Sequence, residues 1–97
     1  MIRKAFLKRV ESALETLDED IDRIAAKAEK VEADVRIRYD EEIDVLRMKQ
    51  EAVRAKVQQV RDAGAGSWGT LKRGVQDATD DLKKAVEKAV ERLRKSA

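Results

Sequence analysis

The chain has 97 residues, enough for one small domain; 43% are charged, 3% are aromatic, and Pro, Cys and His are absent. The lack of Cys excludes a disulfide framework, and the lack of His excludes His-based catalytic triads, zincin sites and zinc fingers. With 22 basic against 20 acidic residues, the net charge of +2 is too balanced to mark a nucleic-acid binder.

The first residues form a basic amphipathic patch. Arg3, Lys4, Lys8 and Arg9 stand beside Ile2, Phe6 and Leu7, a combination able to touch an anionic membrane or nucleic acid. Lys8 and Arg9 break the apolar run that a secretory signal needs. No stretch approaches the ~20 apolar residues of a membrane span. The expected location is cytoplasmic.

From Ile2 to Asp62 there is no Gly and no Pro, so the sequence predicts one helix over 2–62. At 1.5 Å per residue it would reach ~90 Å. Its apolar residues define a seam. Leu7, Val10, Leu14, Leu17, Ile21, Ile24, Ala28, Val31 and Val35 alternate spacings of three and four, which is a coiled-coil pattern. The next seam position is Arg38, and the pattern resumes one residue later at Tyr39, Ile43, Leu46, Gln50, Val53, Val57 and Val60. Such a slip moves the apolar stripe by ~100° around a helix.

The Gly-rich stretch 63–67 predicts a turn. Gly64 or Gly66 is expected to take a left-handed conformation after the helix, and Ser67 to cap the next one. A second helix is predicted over 68–94, with its seam at Trp68, Leu71, Val75, Ala78, Leu82, Val86, Ala89 and Leu93. Folded over the turn, Val60 meets Leu71, Val57 meets Val75, Val53 meets Ala78 and Leu46 meets Val86. Their residue numbers keep a nearly constant sum, as an antiparallel hairpin requires.

The fold class is therefore all-α: a long antiparallel coiled-coil hairpin with an N-terminal arm over 3–35. The second helix ends opposite the phase slip, which leaves the arm without an intramolecular partner. Isolated helices are marginal in water, so the arm is expected to self-associate. Leu7, Val10, Leu14, Leu17, Ile21, Ile24, Val31 and Val35 are the expected oligomerisation residues. The partner is then a second copy, in a homodimer or higher even oligomer, with the antiparallel arrangement favoured slightly by charge. The alternative is a break near Leu17-Asp18-Glu19-Asp20 that folds residues 2–17 back as a third helix.

Candidate chemistry is thin. Carboxylates cluster at Glu15, Asp18, Glu19, Asp20 and Asp22, and at Asp40, Glu41, Glu42 and Asp44. They lie within helix and lack the glycine-centred loop of a calcium site, so they read as a solvated face. Pairs such as Glu19/Arg23, Glu32/Arg36 and Asp34/Arg38 stand at helical spacing. Ser12, Ser67 and Ser96 have no His and no nucleophile elbow. The segment Gly64–Gly69 follows a helix and lacks the P-loop lysine, so no phosphate site is expected. No catalytic, cofactor or metal site is expected, and the chain reads as non-enzymatic. Trp68 stands at the hairpin tip, where packing over Val60 and Leu71 is the favoured role and surface binding the other.

The stretch Gly66 to Ala78 carries a Trp-x-x-Leu-Lys-x-Gly-Val-x-x-Ala pattern through Trp68, Leu71, Lys72, Gly74, Val75 and Ala78. In this it resembles a group of small bacterial coiled-coil proteins of unknown function, over about residues 15–90. The chain departs from the group at Thr79, where a second Trp is frequent. The resemblance implies a bacterial helical protein and carries no functional residues. The expected function is that of a self-associating structural or adaptor element, with an unidentified protein as a further partner. Membrane-surface docking through Arg3, Lys4, Lys8, Arg9 and Trp68 is the alternative, and nucleic-acid association the weakest class.

Overall fold

A computed structural model describes residues 2–96, which form three helices packed against one another. Helix α1 spans Ile2–Ala28, α2 spans Ala33–Asp62 and α3 spans Trp68–Ser96, with a short 3-10 turn at Ala65–Ser67 before α3. The molecule measures 51 × 18 × 15 Å. A 30-residue helix is ~45 Å long, so the three lie side by side along one axis, and no 90 Å rod forms.

The single helix expected over 2–62 is thus two helices. Residues 29–32 leave helical geometry without any Gly or Pro. The end of α1 tightens, with Lys30 N–H donating to the Lys27 carbonyl at 3.1 Å and Val31 N–H to that of Ala28 at 3.4 Å. These are short-range bonds of the kind that close frayed helix ends. Glu32 then turns extended, with φ −59° and ψ 151°. Its carbonyl accepts the Arg36 N–H at 2.8 Å, which begins α2. Lys27 in the last turn of α1 and Asp34 in the first turn of α2 both complement the helix dipoles.

Packing explains why the chain reverses here. Phe6, Val10, Leu14, Leu17, Ile21, Ile24 and Ala28 of α1 are buried in one cluster with Tyr39, Ile43, Leu46, Val53, Val57 and Val60 of α2 and Val75, Leu82, Val86, Ala89 and Leu93 of α3. Burying a Val, Leu, Ile or Phe side chain stabilises by about 1.5–3 kcal/mol. The α1 stripe as a whole outweighs the few backbone bonds lost at one turn. The phase slip marks this reversal: the α1 stripe ends at Ala28, the α2 stripe starts at Tyr39, and Val31 and Val35 between them are half-buried.

Ion pairs set the order of approach. Between α1 and α2, Glu11 meets Arg61, Asp18 meets Arg54 at 2.7 Å and Asp22 meets Arg47 at 3.7 Å. Between α2 and α3, Lys49 meets Asp81 at 2.5 Å and Glu42 meets Arg92. In each set the residue number rises on one helix as it falls on the other. Exposed pairs of this kind contribute little to stability; they fix register.

The second turn also differs from expectation. No glycine among the described residues has a positive φ. Helix α2 stops at Ala63, which is extended at φ −83° and ψ 151°, and Ser67 N–H bonds back to the Gly64 carbonyl at 3.2 Å. An extended residue followed by a 3-10 turn reverses the chain without a left-handed residue.

Candidate functional site

The residues expected to mediate oligomerisation are placed inside the molecule. Val10, Leu14, Leu17, Ile21 and Ile24 are buried, Ile21 completely, and Leu7, Val31 and Val35 are half-buried against the same core. The arm over 3–35 therefore has intramolecular partners in α2 and α3, which corrects the premise from which its self-association was inferred. The stripe begins at Phe6, at 5% exposure, and not at Leu7. The helix break falls at 29–32 and not at Leu17–Asp20.

At the end where α1 starts, Arg3 is half-buried and its guanidinium donates to the Arg61 carbonyl at 3.2 Å, among the last carbonyls of α2. Lys4, Lys8 and Arg9 are exposed. Trp68 is half-buried and meets Phe6 edge to face, with centroids 5.3 Å apart and planes at 74°. Lys72 Nζ lies 5.5 Å from the Phe6 ring centre and 5.7 Å from that of Trp68. Phe6 is buried in the core, and Trp68, half-buried, rests against it. Cation–π contacts of this kind contribute about 0.5–1 kcal/mol when exposed.

The acidic clusters do more than solvate a face. Asp18 and Asp22 reach across to Arg54 and Arg47 of α2, and Glu42 reaches Arg92 of α3. Within helices the partners differ from those expected: Arg23 meets Asp20 at 3.7 Å and Arg36 meets Asp40 at 3.9 Å. Among the described residues no group of three or more Asp or Glu is gathered closely enough to hold a metal ion. No described helix is long and apolar enough to cross a membrane.

One feature was not read from the sequence. Ile37, Val45 and Met48 are 61%, 48% and 71% exposed. At 100° per residue they fall within about 80° of arc on α2, opposite the buried face of Tyr39, Leu46 and Val53. Asp34 and Glu41 share this arc, Asp44 lies about 20° beyond its edge, and all three are exposed. The outward face of α2 is thus an apolar stripe set among carboxylates, bordered by Arg38 and by Arg47, the latter already paired with Asp22. The signal was present in the sequence: these three large apolar residues stand off the seam, and off-seam apolar residues on a core helix point to solvent.

No protein-family model matches the chain, nor does any curated protein or solved structure.

Proposed function

We propose that the chain is a non-enzymatic adaptor module, a closed three-helix bundle that offers the outward face of α2 to a basic amphipathic helix. The observation that carries this reading is the exposed stripe of Ile37, Val45 and Met48 among Asp34, Glu41 and Asp44. Exposed apolar residues scattered singly need no explanation; aligned on one arc with carboxylates among them and arginines at its borders, they make a docking face. Methionine suits such a face because its flexible thioether adapts to the partner's shape.

Charge selects the kind of partner. Two copies joined through this face would set Asp34, Glu41 and Asp44 near their own equivalents, so self-association through α2 is disfavoured and a basic partner favoured. The membrane-surface alternative draws on Lys4, Lys8 and Arg9, which are exposed, but the neighbouring Phe6 is committed to the core.

A Leu/Lys amphipathic helical peptide provides the test, with binding read from the methyl resonance of Met48. Binding to the unaltered chain is expected to shift that resonance; by isothermal titration calorimetry, affinity is expected to weaken by about tenfold, equivalent to ~1.4 kcal/mol, in the Val45→Ser/Met48→Ser variant, which removes apolar surface without changing charge. Both positions are exposed, so the fold tolerates the change. Unchanged affinity in the variant would overturn the reading.

A further inference from the structure

We infer that the groove between α1 and α3, at the end of the bundle where α1 turns into α2, binds a single-chain fatty acid. The groove, open to solvent along one side, offers about 980 Å³, at the upper end of the roughly 300–1,000 Å³ common to small-molecule sites. Its apolar lining is wholly aliphatic: Ile24 of α1, Val31 and Val35 around the turn, and Val90 and Leu93 of α3. Val90 is 39% exposed there, although it lies on the side of α3 that faces α1.

The charges beside this groove leave an excess of cations. Ion pairs cross from α1 to α2 and from α2 to α3, but among the described residues none joins α1 to α3. Its rim instead carries Arg23, Lys27 and Lys30 on the α1 side and Arg94 on α3, against the acids Asp20 and Glu32. Asp20 lies 3.7 Å from Arg23 and Glu91 lies 3.9 Å from Arg94, while Lys27 and Lys30 have no carboxylate within ion-pair distance among the described residues. Lys27 and Lys30 leave uncompensated positive charge on the α1 rim, which an anion in the groove relieves. An aliphatic trough without aromatic rings suits a flexible hydrocarbon tail rather than a nucleobase or sugar. The cations supply the place for a carboxylate head.

The test titrates the full chain with dodecanoate below its micelle concentration and follows the methyl resonances of Val31, Val35, Val90 and Leu93. Saturable binding is expected, with shifts centred on those methyls. Dodecyltrimethylammonium, which has the same tail and the opposite charge, is expected to bind at least tenfold more weakly. The Lys27→Glu/Lys30→Glu variant is expected to lose affinity by at least tenfold; both sites are exposed, and circular dichroism verifies the fold. The Val45→Ser/Met48→Ser variant keeps full dodecanoate affinity, so this site and the α2 face stand or fall separately. Equal binding of the two amphiphiles, affinity unchanged by the charge reversal, or association with anionic vesicles and not with monomeric dodecanoate would overturn the proposal.

Discussion

The side-chain amide of Gln50, buried at 6% exposure within α2, donates a hydrogen bond to the carboxylate of Asp18 on α1. The other oxygen of Asp18 accepts from Arg54 at 2.7 Å, and Arg54 also reaches Glu51 at 2.8 Å. A polar residue at a seam position is costly unless satisfied, and Asp18 satisfies it from the facing helix. Asp18→Ala is expected to destabilise by about 1–3 kcal/mol, because it leaves the Gln50 amide unpaired. Gln50→Leu removes donor and need together and is expected to be neutral or stabilising. Urea unfolding of both single variants and the double variant checks the coupling; equal losses for the two singles would contradict it.

Ile21 is fully buried, two turns before the end of α1. Ile21→Ala is expected to cost about 2–5 kcal/mol. Since its surroundings belong to the same chain, the loss in Tm is expected to be independent of protein concentration. A Tm that climbs with concentration would place these contacts between chains.

Phe6→Ala removes the ring against which Trp68 rests. The expected cost is about 3 kcal/mol, together with a red shift of Trp68 fluorescence as water reaches the indole in the still-folded state. Unchanged emission would mean that Trp68 does not pack on α1.

The glycines at the start of α3 are not held there by space. A Cβ at Gly69 meets nothing within 4 Å, and one at Gly74 meets only Lys56 Nζ at 3.7 Å, an ordinary contact. Neither has a positive φ. Gly69→Ala and Gly74→Ala are each expected to stabilise by about 0.5–1 kcal/mol through helix propensity and chain entropy. Thermal unfolding measures this, and a lower Tm in either variant would reveal a contact that the helix geometry does not explain.

The helical class, the Gly-rich turn after Asp62 and the seams of α2 and α3 were legible because each rests on periodicity or on turn chemistry. The reversal at 29–32 was not, because Glu29, Lys30, Val31 and Glu32 are all residues that helices accept, and the backbone turns there without Gly or Pro. The missing information is tertiary. Val10 with Val60, Leu14 with Val57, Leu17 with Val53, Ile21 with Gln50, Ile24 with Leu46 and Ala28 with Ile43 keep a nearly constant sum of residue numbers, as the hairpin pairs do. That register was available in the sequence, and the ion pairs of Asp18 with Arg54 and Asp22 with Arg47 follow it. The phase slip near Arg38 was read as a change of partner, whereas it records a change of direction a few residues earlier. The exposed arc of Ile37, Val45 and Met48 was legible too, as three large apolar residues that stand off the α2 seam.

Whether α1 folds back on its own chain depends on the backbone at Glu32 and Ala33, and Ala33→Pro tests it most directly. Glu32 at φ −59° and ψ 151° already has the extended geometry that a residue before proline prefers. Ala33 is the first residue of α2, where a proline loses no helical hydrogen bond. The account predicts a free energy of unfolding within about 0.5 kcal/mol of wild type, or higher. A loss of about 3 kcal/mol, the cost of proline inside a continuous helix, would contradict it.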